Sequence, residues 1–218
     1  MRLLLYYITD RSRFPGDENS RRLALLQKIA EAAHCGVDFI QLREKDISTC
    51  ELEDLGHGAV RAVSEHSQRT RLLINSRTDV AIACGADGVH LRSGDISPAD
   101  VRGVWKRSVG ALARKERGSV PCIALSCHTL HDIERAASAA VDFVVFAPIF
   151  EKKDDPAAAA VGIAGLREAC QQKIPVLALG GITLENAHIC IEAGAAGVAG
   201  IRLFQENAVA DVVRRLRG

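Results

Sequence analysis

Eight short apolar runs succeed one another along the chain, and a longer stretch of helical periodicity separates each from the next. The runs are Leu3–Ile8, Val37–Leu42, Arg71–Ile74, Gly88–Leu91, Cys122–Leu125, Phe143–Phe146, Val176–Leu179 and Gly197–Gly200. Between them Arg21–Cys35, Thr49–His66, Thr129–Ala140 and Thr183–Ala193 have helical length, and a last helix lies near Asn207–Leu216. Strands joined through helices pair in parallel, and eight βα units within 218 residues predict one domain over residues 1–218, a closed TIM-type (β/α)₈ barrel. An open doubly wound sheet would carry a glycine-rich turn after its first strand, and no G-x-G-x-x-G follows Ile8. Gly36 and Gly194 sit where helices end in a left-handed residue, and Glu185 is placed for the first turn of the helix opening at Thr183. The similar turns Cys84–Val89 and Ala193–Val198 suggest a weak internal repeat.

The charge balance excludes several classes of partner. With 28 basic and 27 acidic residues the formal net charge is +1, so no strong field draws in nucleic acid or an anionic membrane. A small neutral or anionic ligand is expected. Seven cysteines, odd in number and without a C-x-x-C pair, signal neither a disulfide framework nor a zinc site and fit a reducing cytoplasm. Leu3-Leu4-Leu5 runs at once into Tyr6-Tyr7-Ile8-Thr9-Asp10, too short an apolar stretch for a signal peptide or a membrane span.

In such a barrel ligands bind at the carboxyl ends of the strands, so those positions are read first. Gln41, Arg43 and Lys45 alternate with Ile40, Leu42 and Glu44, which places the three polar groups on one strand face, with Gln41 and Arg43 aimed into the mouth. A cation there calls for an anionic ligand or for a structural carboxylate across the strands. Asn75, at the end of the third strand, is placed to donate to a ligand or to cap the next helix. Gly180-Gly181 and Gly200-Ile201 end the last two strands with bare backbone N–H groups side by side, the usual phosphate site of a barrel or simply tight turns. Ser126-Cys127-His128-Thr129 follows the fifth strand, and His128 is a side chain suited to moving protons near neutral pH or to opening a helix. Adjacent Cys127 and His128 lack the facing geometry of a nucleophile pair, and His90, within apolar Val89–Leu91, reads as structural. Glu151–Val161, charged and then alanine-rich, reads as a long loop after the sixth strand.

Assembled in order, these pieces resemble the thiamine phosphate synthase and TenI family along nearly the whole chain. The matching segments are Tyr7–Asp10, Gln41–Lys45, Ile74–Ala81, Gly85–Leu91, Ser126–Thr129, Gly180–Thr183 and Ala193–Ala195. The resemblance implies one of two chemistries. The synthase branch joins a pyrimidine pyrophosphate to a thiazole phosphate with Mg²⁺ held by two aspartates, whose places here are taken by Ser76 and Asp95; its lysine-bearing pattern after strand six is replaced by Phe150–Asp155. The TenI branch aromatises a thiazole phosphate carboxylate by tautomerisation. Leu91–Pro98, Phe150-Glu151 and His128 are similar to that branch, whereas Gln41 and Lys45 look like the synthase.

The resemblance therefore implies first a thiazole tautomerase without a cofactor. In it Gly180, Gly181, Gly200 and Ile201 hold phosphate, Arg43 and Lys45 meet the carboxylate, Gln41, Asn75 and Ser126 contact substrate, and His128 moves the proton. The alternatives are a Mg²⁺-dependent synthase using Asp95, with Lys152 or Lys153 as its lysine, and a non-catalytic binder of thiazole or thiamin phosphate. All three take a small phosphorylated thiazole-type ligand, none needs nucleic acid or membrane, and a homo-oligomer is compatible with each.

Overall fold

A computed structural model describes residues 2–112, 120–151 and 160–218. Parallel strands close on themselves in the order β1 (Leu4–Ile8), β2 (Phe39–Leu42), β3 (Arg71–Asn75), β4 (Gly88–Leu91), β5 (Cys122–Cys127), β6 (Phe143–Phe146), β7 (Val176–Ala178) and β8 (Gly197–Gly200), with β1 paired to both β2 and β8. After them in turn come α1 (Glu18–His34), α2 (Thr49–His66), α3 (Thr78–Cys84), α4 (Pro98–Leu112), α5 (Leu130–Ala137), α6 (Gly162–Ala169) and α7 (Ala187–Glu192), and α8 (Arg202–Gln205) and α9 (Val209–Arg217) both follow β8. This is the TIM barrel that the alternation predicts.

The pleat divides the apolar residues into two cores. Leu5, Tyr7, Ile40, Leu42, Leu72 and Ile74 face outward and pack with helix residues such as Leu25, Ile29, Leu55 and Val63. Their alternates Tyr6, Ile8, Leu73, Ala124, Phe143, Val145, Leu177 and Ala199 form a separate cluster inside the barrel. Phe143 meets Tyr6 edge-on at 5.4 Å between ring centroids and Phe39 at 4.5 Å, so aromatic rings fill the interior below the mouth. The strand ends above them are left for polar groups.

Several boundaries differ from those expected, each for a local reason. The Asp17 carboxylate accepts the Ser20 N–H, which starts α1 at Glu18 and not at Arg21. The helix expected from Thr183 begins only at Ala187, because side chains hold a separate turn: Thr183 N–H donates to Asn186 Oδ1 and Glu185 N–H to Thr183 Oγ1. Thr129 caps α5 with Asp132 in a reciprocal box, and β5 runs on to Cys127. The final helix starts at Val209 because the short α8 precedes it.

A recurrent tie braces the amino-terminal rim. Asp38, Asp87 and Asp142, placed just before β2, β4 and β6, accept the backbone N–H of Leu5, Leu72 and Ile123 at 2.8, 2.8 and 2.7 Å. Ala196 takes that place before β8 and has no carboxylate for the tie; its carbonyl accepts from Leu4 N–H, as those of Asp38 and Asp87 accept from Arg71 and Cys122 N–H. The two similar turns thus share their shape and differ in this tie.

At the opposite rim the loop after β1 turns in on Arg11, which is 5% exposed. Its guanidinium donates to Glu44 Oε2 at 3.2 Å, Asp46 Oδ1 at 2.6 Å and Glu18 Oε1 at 2.8 Å. Glu44 also accepts from the Thr9 hydroxyl at 2.6 Å and from Arg11 N–H, and Thr9 Oγ1 accepts from Arg43 N–H. Burial raises the Glu44 carboxyl above its ordinary pKa, against the lowering effect of these hydrogen bonds. Arg11→Met should cost about 3–5 kcal/mol in urea unfolding, because it strands a buried carboxylate, and adding Glu44→Leu should recover much of that loss. A single-mutant cost below about 1 kcal/mol would mean that the cluster does not hold the loop.

Candidate active site

Above the aromatic rings the inward positions become polar. Strand alternation puts Gln41 and Arg43 after Phe39, Asn75 after Leu73, His90 after Gly88 and Ser126 after Ala124 on the inner wall. Gln41 is 1% exposed, and its Nε2 has no hydrogen-bond partner among the described residues. Among the described residues the Asn75 side chain reaches only Ser76 Oγ, at 3.3 Å. It does not cap α3, which follows Arg77 without any side-chain cap, so of the two expected uses helix capping falls away.

Arg43 is half-buried, and among the described residues its guanidinium makes no hydrogen bond or ion pair. The structural pair expected across the strands does not form at Arg43 among the described residues, and its chain neighbour Glu44 is held by Arg11. Burial draws the Arg43 pKa down, Asp10 and Glu44 oppose this, and Arg92 adds to the lowering. Arg43 is therefore a cation in want of an anion, with a second guanidinium near it. Lys45 stands exposed at the rim.

Ser76 and Asp95 come together, as the resemblance requires, but not as ligands of a metal. Asp95 accepts from Arg92 N–H at 2.8 Å and from the Arg92 guanidinium at 3.2 Å, with Ser76 as a further hydrogen-bond partner. Burial would raise this carboxyl, and the hydrogen bonds outweigh it and hold the pKa below its ordinary value. One carboxylate already neutralised by a guanidinium, beside a neutral hydroxyl, does not fit a protein-held Mg²⁺. No group of three or more His, Cys, Asp or Glu that could hold a metal occurs among the described residues.

On the other side of the mouth a cavity of about 220 Å³ is lined by Gly180, Gly181, Gly200 and Ile201, together with Arg13 and Arg202. Gly180 and Gly181 have φ of +100° and +67°, in the left-handed region. A Cβ on Gly180 would lie 2.8 Å from Pro148 Cα, and one on Gly181 2.7 Å from Phe150 Cβ, so both positions need glycine sterically as well as conformationally. Backbone amides and two guanidinium groups bordering one cavity suit a phosphate. Sequence reasoning missed Arg13 and Arg202. The closure of β8 onto β1, which brings the loop after β1 beside the glycines, is the signal that could have found Arg13.

His128 is exposed and hooked to the end of β6: its Nδ1 lies 2.9 Å from the Ala147 carbonyl, so Nδ1 carries the proton and Nε2 keeps its lone pair. It does not line the glycine cavity. Cys127 faces the outer core and burial pushes its thiol up to about 12, which agrees with its exclusion as a nucleophile. His90 is more than a spacer in an apolar strand. It faces inward, with Nδ1 3.0 Å from Tyr6 OH and Nε2 2.7 Å from Ser126 Oγ, and burial followed by the nearby Arg43 charge lowers its pKa to about 3. Lys152, Lys153 and most of the Glu151–Val161 loop lie outside the described residues.

Known proteins match nearly the whole chain. The family described as "Thiamine monophosphate synthase" matches residues 5–204. A protein of Aquifex aeolicus that bears the provisional name thiamine-phosphate synthase 2 is 37% identical over 203 residues, covering 93% of this chain and 97% of its own. The thiamine-phosphate synthase of Clostridium novyi is 33% identical, covering 93% and 91%. The solved thiamine phosphate pyrophosphorylase of Pyrococcus furiosus superposes with a TM-score of 0.74 at 27% identity, covering 99% of this chain and 94% of its own.

The glycine cavity yields a direct test. Gly181→Val should weaken binding of thiazole phosphate by about tenfold or more in calorimetry while circular dichroism stays unchanged. Unchanged affinity would put the phosphate elsewhere.

Proposed function

Because the chain belongs to the thiamine monophosphate synthase family, we propose that it joins a pyrimidine pyrophosphate to a thiazole phosphate. The relatives that bear the synthase name carry this reading, and the mouth offers two separate anion-directed regions that suit two phosphorylated substrates. One is the glycine cavity at β7 and β8, and the other is Arg43, unpaired among the described residues, beside Gln41 and Asn75. A tautomerase substrate would also reach both, through its phosphate and its carboxylate.

In this reading the glycine amides hold the phosphate of the thiazole, and Gln41, Asn75 and Ser126 orient the pyrimidine. The thiazole ring nitrogen supplies an electron pair to the exocyclic carbon of the pyrimidine. A C–N bond forms as the C–O bond breaks, and pyrophosphate leaves with the electron pair of that bond. Charge develops on the leaving group, opposite the Arg43 guanidinium, which gains interaction as the bond breaks. No proton is transferred, so His128 has no obligatory part.

The TenI-type tautomerase is the second reading, and one specific observation favours it: Ser76 stands where the synthase carries a carboxylate, and Asp95 is already paired with Arg92. There His128 Nε2 would accept and return the proton. The readings separate on one residue. With pyrimidine pyrophosphate and thiazole phosphate, thiamin phosphate should form, and His128→Gln should lower kcat by less than about tenfold, whereas a relay histidine would cost about a hundredfold. Turnover of the thiazole carboxylate tautomer with no coupling would replace the synthase by the tautomerase; turnover in neither mixture would leave a binding protein.

The donor set also bears on metal. Coupling should persist in EDTA to within about tenfold, since a lone, paired carboxylate holds a hard cation weakly. Loss restored by Mg²⁺ would mean that Asp95 releases Arg92 to take the ion.

A further inference from the structure

We propose that Tyr6, His90 and Ser126 form a one-directional hydrogen-bond chain that leaves the Ser126 hydroxyl proton facing the mouth, so that the ligand atom at the end of β5 is a hydrogen-bond acceptor. Tyr6 is fully buried among Phe39, Phe143 and His90, and among the described residues its hydroxyl has one partner, His90 Nδ1 at 3.0 Å. A buried hydroxyl proton needs an acceptor, and Nδ1 is the acceptor within reach. A neutral imidazole has one N–H and one lone pair, so if Nδ1 accepts, Nε2 carries the proton and donates to Ser126 Oγ at 2.7 Å.

Burial and the Arg43 charge keep His90 neutral, and burial also raises the Tyr6 phenol well above its ordinary value, so neither end of the chain ionises near neutral pH. The reverse direction would leave the Tyr6 proton buried without an acceptor. Ser126 thus receives one hydrogen bond from below, and among the described residues its own proton has no acceptor. Among the described residues Gln41 Nε2 is a second donor without a partner on the same inner wall. Such a wall suits an unprotonated ring nitrogen or a carbonyl oxygen and sets itself against a ring N–H. Tyr6 and His90 act through Ser126 and are positioning residues; the step beyond the proposed function is the polarity that they impose.

The first test needs no ligand. Long-range ¹H–¹⁵N NMR of the histidine side chains in the full chain, with the His90 signals identified by their loss in His90→Gln, should show the proton on Nε2 and no titration between about pH 5 and about pH 8. A proton on Nδ1, or a His90 that titrates in this range, would overturn the proposal. The second test rests on the synthase reading for its probe, the pyrimidine pyrophosphate, compared by calorimetry with its two analogues in which one ring nitrogen is replaced by C–H. One analogue should bind about tenfold more weakly than the parent; Ser126→Ala should erase that gap and Tyr6→Phe should narrow it. A gap that survives Ser126→Ala, or no gap at all, would overturn the proposal. Failure of every pyrimidine compound to bind, beside an Nε2 proton, would sink the synthase reading and uphold the direction of the chain.

Discussion

A guanidinium withdrawn from water fixes the geometry of the mouth. Arg11 lies between the loops that follow β1 and β2, and its three carboxylate partners come from the second of these loops and from the first turn of α1. Burying such a group is tolerable only with its charge and its fork of donors matched, and here Glu44, Asp46 and Glu18 match them. Glu44 is thereby taken out of reach of Arg43, its neighbour in the chain. The structural ion pair at the rim is what leaves Arg43, one residue away, unpaired among the described residues.

The same logic, inverted, governs Asp95. A guanidinium from its own loop occupies it, and Ser76 bonds to it where a second carboxylate would repel it. The two sides of the mouth have thus exchanged roles relative to a metal-centred design. Positive charge on this side comes from two guanidinium groups, Arg43 and Arg92.

The barrel was legible because two periods do not overlap: strands alternate every second residue, helices return every 3.6, and eight changes between them leave few topologies. Alternation also located Gln41 and Arg43 on the inner wall, strand-end position singled out Asn75, chemistry singled out the paired glycines, and Ser126 entered only through the resemblance. Alternation likewise places His90 inward, but its neighbours Val89 and Leu91 made the strand look uniformly apolar and hid it. Arg11 was not legible at all, since a basic residue three positions beyond a strand normally reads as solvated. Its burial depends on carboxylates 33 and 35 residues away. The turn at Thr183 was misread as helix because the Asn186 side chain competes with the backbone there, an effect that propensity alone does not reveal.

The aspartate ties on the amino-terminal rim bear on how the chain assembles. They close loops of 33, 15 and 19 residues, each within one neighbouring pair of strands, and loops of that size close at similar entropic cost. Three quarters of the barrel can therefore be braced from contacts near in sequence. The last quarter has Ala196 in place of the aspartate, and its final strand must find β1 across almost the whole chain, with Leu4 against Gly197. That seam is also where Arg13 meets the glycines of β7 and β8. The glycine cavity exists only once this strand pairing, the most distant in sequence, has formed, so an anion bound there would act as a clasp on the closed ring, favouring it over any form in which the first and last strands have parted.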